Sequence, residues 1–194
     1  PTTVQLRRQT RIGSPIDRSL PPINVDGATL FLARNNKEIR EFLFTDVEQA
    51  YQANDLALLS QHLMNTPVDQ DFDQSRRLVH IVMNDGSLAT VTAFRTEQVT
   101  AWTLQETDGS FLSVAVVGND VYVLVQRANG ILIEQFDESF YTDSALSGQS
   151  GAPTTTWSGL DHLEGTTVKI IADEAFQQDA IVTGGSITLD EPAS

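Results

Sequence analysis

Leu78-Val-His-Ile-Val-Met83, Asn84-Asp85-Gly86-Ser87 and Leu88-Ala-Thr-Val-Thr-Ala-Phe94 decide the fold, because two β-prone runs flank a four-residue turn. Asp-Gly tolerates the positive φ that a tight hairpin demands, so the pattern reads as an antiparallel pair. The same grammar extends in both directions. Downstream, Val99 to Glu106 runs into Thr107-Asp108-Gly109-Ser110 and returns as Phe111 to Val117. Asn119-Asp120 then leads into Val121 to Val125, and Asn129-Gly130 turns that run into Ile131 to Phe136. Upstream, Thr29 to Phe42 turns at Asn35-Asn36. The class expected is mainly β, built from antiparallel hairpins.

Three of these hairpins resemble one another: 29 to 42, 78 to 94 and 121 to 136. From Asn36 to Gly86 is 50 residues and from Gly86 to Gly130 is 44, close to the roughly 40 to 50 residues of a four-stranded propeller blade. A ring needs about four to eight blades, so three give an arc rather than a closed propeller. The expected division is a partial propeller over 1–143, a linker over 144–158 rich in Ser, Gly and Thr, and the start of a small, truncated β module over 159–194. Thr167 to Ala172, Ala180 to Thr183, the Gly184-Gly185 turn and Ser186 to Leu189 are its strands. A helical insertion is expected at about 45–64. Thr45-Asp-Val-Glu48 has capping-box spacing, and Asn54-Asp55 precedes Leu56, Leu59 and Leu63 on one helical face.

Composition narrows the function. The chain has 194 residues, with 26 acids against 12 Lys and Arg and a net charge of −14, which excludes a generic nucleic-acid binder that works through clustered cations. With 40% hydrophobic residues and a mean hydropathy of −0.16 the chain is rich enough in apolar residues to fold. Cysteine is absent, so disulfides, thiolate nucleophiles and Cys-based zinc sites are excluded. No apolar run approaches about 18 residues, so no membrane-spanning helix is expected. The start at Pro1, without Met or an apolar leader, reads as a processed or excised piece.

Arg11-Ile-Gly-Ser-Pro15, Leu30-Phe-Leu-Ala-Arg34 with Ile39-Arg-Glu-Phe42, Asp55-Leu-Ala-Leu-Leu-Ser-Gln-His-Leu63 and Gly159-Leu-Asp-His-Leu-Glu-Gly165 span most of the chain. In these stretches it resembles the propeller-bearing tail proteins of phages, the tail tubular or nozzle proteins of short-tailed phages and their prophage relatives. The resemblance implies a structural, non-enzymatic ring component of the virion tail, assembled in the host cytoplasm. It implies other tail proteins and copies of the chain itself as partners, no cofactor and no catalytic residues. The chain is much shorter than such proteins.

Candidate chemistry is sparse. Asp69, Asp71 and Asp73 have the alternate spacing of a calcium loop, yet an EF-hand begun at Asp69 would need Gly and Glu where Gln74 and His80 stand. A solvated acidic loop is the expected reading, with a calcium site as its alternative. Gly148-Gln-Ser-Gly-Ala152 lacks the last glycine of a nucleophile elbow. His62, His80 and His162 show no i, i+4 zinc pairing. Asp161-His162, inside Gly159 to Gly165, is expected to fix how the terminal module meets the arc.

Charge is unevenly distributed. Arg7, Arg8, Arg11 and Arg18 face only Asp17 among residues 1–18, whereas from Ala128 onward Lys169 faces eleven acids, a balance of −10. Glu134, Asp137, Glu138 and Asp143 are therefore expected to line a conduit and keep passing DNA from binding tightly. The competing expectations are an adhesion module using Asp69 to Asp73 and Trp157 for glycan or calcium, and a hydrolase built on a propeller.

Overall fold

A computed structural model of the protein describes residues 11–16, 20–45, 50–94, 99–140 and 142–194. The chain divides into two compact units, Pro1–Asp137 and Glu138–Ser194. In the first unit the described strands form three consecutive antiparallel sheets. The first holds β1 (Ile23–Val25), β2 (Ala28–Leu32), β3 (Ile39–Thr45) and β4 (Ala50–Asp55) in sequence order. The second holds β5 (Pro67–Asp73), β6 (Leu78–Met83), β7 (Leu88–Phe94) and β8 (Val99–Gln105), again in order. The third is β9 (Ser110–Val117), β10 (Asp120–Arg127) and β11 (Gly130–Gln135). The three recurring hairpins are β2–β3, β6–β7 and β10–β11, each the second and third strands of a separate sheet.

The turn chemistry explains the register. Leu78 pairs with Thr92 and Val82 with Leu88 across the Asp85-Gly86 turn, where Gly86 has φ of 87°. A Cβ on Gly86 would stand 2.6 Å from the Ser110 side chain, so the position needs glycine for space as well as for conformation. The Gly86 carbonyl accepts the Phe111 N–H at 2.8 Å, which seats the start of β9 on this turn. That contact corrects one expected hairpin. The residues flanking Asp108-Gly109 do not pair with each other: β8 closes the second sheet and β9 opens the third, pairing with β10.

Packing follows from alternation on β6. Every residue from Val79 to Met83 is buried, which accounts for an apolar run uninterrupted except by His80. Val79, Ile81 and Met83, with Ala89, Val91 and Ala93, pack in one cluster with Val25, Leu30, Leu32 and Ile39 of the first sheet. Val82 and Leu88 pack with Phe111, Val114, Val121, Val123 and Val125 of the third. The second sheet is thus covered on both faces. The leading strands of the sheets also approach one another, β1 beside β5 and β5 beside β9.

The helical insertion expected over 45–64 is replaced by strand β4 and a single 3₁₀ turn at Gln61–Leu63. Asp46 to Glu48 of the capping box lie outside the described residues. β4 pairs with β3 from Arg40↔Asp55 to Thr45↔Ala50, and this ladder outweighs a short helix that is marginal by itself. Asp55 does cap, but a turn: its Oδ1 accepts the Ala57 N–H at 2.9 Å. Leu56, Ala57 and Met64 enter the first cluster, while Leu59 is 91% exposed and so contradicts the expected stripe.

In the second unit β12 (Thr154–Ser158) pairs with β15 (Ser186–Ala193), and β13 (Thr167–Ala172) with β14 (Ala175–Ile181). The last five residues of the expected 144–158 linker are therefore strand. Trp157 anchors this unit's core beside Leu160, Leu163, Ile170, Val182, Ile187 and Leu189.

Candidate functional site

The acidic run of β5 is not a solvated loop. A strand presents alternate residues on one face about 6.6 to 6.8 Å apart, and β9 presents alternate amides at the same period. Asp69 Oδ2 accepts the Val114 N–H at 3.0 Å and the Ser113 hydroxyl, and Asp71 Oδ2 accepts the Val116 N–H at 2.7 Å. Their other oxygens accept Gln70 N–H and Phe72 N–H at 2.9 and 2.8 Å. Two carboxylates thus bridge the second sheet to the backbone of the third.

Asp73 ends the strand with its side chain fully buried. Its Oδ1 accepts Ser75 N–H at 2.9 Å, the Ser75 hydroxyl at 2.6 Å and Arg76 N–H at 3.1 Å, and its Oδ2 pairs with Arg76 Nη1 at 2.9 Å. Burial alone would raise the carboxyl, but the bonds from Ser75 and Arg76 outweigh it and hold the group at about 2. Arg76 Nη1 also donates to the Asn119 carbonyl at 2.8 Å, in the turn between β9 and β10. All three aspartates are occupied by protein donors. Among the described residues no group of three or more His, Asp or Glu is arranged to hold a metal ion.

The acids expected to line a conduit fall in both units. Glu134 on β11 is clamped by Arg127, with Nε to Oε1 at 2.8 Å and Nη2 to Oε2 at 2.6 Å, so its charge is neutralised in place. Asp137 closes the first unit, whereas Glu138 and Asp143 belong to the second. Arg7, Arg8 and Arg18 lie outside the described residues.

His80 is buried, with Nδ1 3.0 Å from Thr90 Oγ1 and its ring stacked on Phe136 at 6.0 Å between centroids. His62 sits in the 3₁₀ turn before Met64, and His162 Nε2 lies 3.3 Å from the Ser144 carbonyl. Ser150 donates to the Ala152 carbonyl at 2.6 Å within its own bend, and no strand-to-helix turn surrounds it.

The Gly159 to Gly165 segment clasps a turn of its own unit. Glu164 accepts Gly184 N–H at 3.0 Å and Gly185 N–H at 2.7 Å, and these bonds hold its carboxyl below the ordinary range. Gly185 has φ of 65°, a conformation that favours glycine, and a Cβ there would also displace the Asp161 carboxylate. Trp157, offered as a glycan contact, is packed against Gly148 and the unit's core, with a buried Nε1 that has no partner.

No known protein family's sequence profile matches this chain, and no curated protein matches it. The D-x-D-x-D bridge is the constellation that sequence reasoning missed. Its signal was the two-residue period inside a β-prone run, which marks a strand face rather than a loop.

Proposed function

We propose that the chain is a structural, non-enzymatic component of a phage tail or tail-like particle, contributing an arc of β-propeller blades to an oligomeric ring. The observation that carries this reading is the succession of three meander sheets packed face on face, with the edge strands β1 beside β5 and β5 beside β9. Blades around a propeller axis need that arrangement. Each outer face of the stack also carries exposed apolar side chains. On the first sheet Phe42 stacks on Tyr51 at 4.7 Å and Phe44 meets Tyr51 edge-on at 5.2 Å, while Phe44 and Tyr51 are 47% and 42% exposed. On the third, Ile131 and Ile133 are 56% and 77% exposed on the face opposite Val121, Val123 and Val125. Two different apolar faces suit head-to-tail contact, the kind that closes rings.

Association measured by light scattering tests this reading. The chain is expected to associate with rising concentration, and Ile133→Asp is expected to abolish that. A chain that stays monomeric throughout while binding glycan would overturn it in favour of an adhesion module, for which the Phe42–Tyr51–Phe44 ladder is the supporting feature. The proposed site is the virion tail, with other tail proteins as neighbours. DNA is expected to pass without tight binding because of the acidic net charge.

A further inference from the structure

We propose that His80 is an acid-released latch on the seam between the second and third sheets: the neutral imidazole closes it, and the imidazolium loosens Phe136 and β9. This inference stands apart from the tail assignment.

The hydrogen-bond chain fixes the tautomer. Gln105 Nε2 donates to Thr103 Oγ1 at 3.4 Å, which leaves Gln105 Oε1 to accept the Thr90 hydroxyl at 3.0 Å. Thr90 has one hydroxyl proton and has spent it, so His80 Nδ1 must be the donor in their 3.0 Å contact. Nε2 is therefore a bare lone pair. It is buried with no partner, and the residue as a whole is 5% exposed. Neutral, that nitrogen costs only the desolvation of one uncharged acceptor. Protonated, it becomes a buried N–H carrying charge with no acceptor, the expensive case.

The charged groups around it offer no ready relief. From β5 come Asp71 and Asp73, and from the turn after β5 comes Arg76. Asp71 is engaged by Phe72 and Val116 amides, and Asp73 by Ser75 and Arg76. On the third sheet Glu134 is held by Arg127 and Asp120 accepts Gln135 Nε2 at 3.1 Å; Asp137 follows the stacked Phe136 in the chain. From β7 and β8 come the uncharged Thr90, which meets the ring, and Gln105 and Thr103 behind it in the hydrogen-bond chain. An imidazolium that recruited Asp71 would take that carboxylate from the Val116 amide, and one that did not would need water. Either way the β5–β9 contact loosens. Burial accordingly lowers the His80 pKa, with Asp73 and Asp71 opposing and Arg76 assisting.

The sign follows from linkage. A histidine depressed in the closed state contributes closure above the ordinary value of about 6.5, and that contribution is lost as pH falls below it. Nuclear magnetic resonance of the wild-type chain tests this at two points. Only three histidines are present, so the His80 ring can be assigned, and it is expected as the Nδ1–H tautomer with a midpoint below the ordinary value of about 6.5. Amide exchange at Val114 and Val116, corrected for its intrinsic pH dependence, is expected to show an opening constant rising up to about tenfold from pH 7.5 to 5.5. That window lies above the range where carboxylates ordinarily titrate. In His80→Gln, which can still donate to Thr90, the rise is expected to vanish. A His80 midpoint at or above about 6.5 overturns the proposal in the wild-type protein alone, whether or not the variant folds. An equal rise in wild type and His80→Gln overturns it as well.

Discussion

Between the first and second sheets lie Leu30, Leu32, Ile39, Val79, Ile81 and Val91, a mainly apolar seam in which Gln70, paired with Ile81, and Glu41, paired with Leu30, are the buried polar side chains. Between the second and third lie Val82, Leu88 and Val125, but also Asp69, Asp71, Asp73 and His80. One sheet supplies both seams from opposite faces. Each fully buried aliphatic side chain contributes about 1.5 to 3 kcal/mol without regard to pH. A net hydrogen bond to a charged group contributes about as much, roughly 1.5 to 3 kcal/mol, but only while the charge persists. The two seams can therefore match in strength and differ in what removes them. Salt and acid act on one, truncation on the other.

Truncating the apolar seam is expected to have the largest effect: Ile81→Ala should cost about 3 to 4 kcal/mol in urea unfolding, equally at pH 8 and pH 5. A marked pH dependence of that loss would break the distinction. Next comes Asp73→Asn, expected to cost about 2 kcal/mol at neutral pH. Because Asp73 is depressed from 3.8 to about 2 in the folded chain, its contribution is present above about pH 4 and lost as pH falls through about 2. The variant's acid unfolding curve should accordingly lack that limb.

Asp69→Asn and Asp71→Asn keep an acceptor but lose the charge, so each is expected to cost about 1 kcal/mol, with faster exchange at Val114 and Val116 respectively. Exchange unchanged at both amides would remove the bridge. The smallest effect is expected at the rim of the apolar seam, where Arg77 pairs with Asp26 in a part-exposed contact. Arg77→Ala should change stability by no more than about 0.5 kcal/mol.

The sequence made three turns legible through residues that had to adopt positive φ. Asp85-Gly86 and Asn129-Gly130 each joined the strands expected of them, and Asn36 at φ of 59° turned β2 into β3. It failed where the partner was distant. Asp108-Gly109 has the same local chemistry, but Gly86 and β10 claim β9 instead of β8. Leu56 and Leu63 look helical in isolation until β3 takes the preceding residues as a strand. The candidate site was hidden for the same reason, since Asp69 and Asp71 meet amides 45 residues further along the chain. The turn at Asp173-Glu174, with φ of 48° and 65°, carries no glycine to announce it.

The carboxylates of Asp69 and Asp71 also bear on solubility. β9 forms one side of its sheet, and an edge strand's outward amides are a template on which another chain's strand can grow. Here Val114 and Val116 spend those amides on acids of the neighbouring strand β5. An incoming peptide would have to evict two charges before forming its first rung. The same pair of acids that ties two sheets together thus blunts an aggregation-prone edge, and the Asp69→Asn, Asp71→Asn double variant should form fibrils or precipitate under conditions where the parent chain stays dispersed.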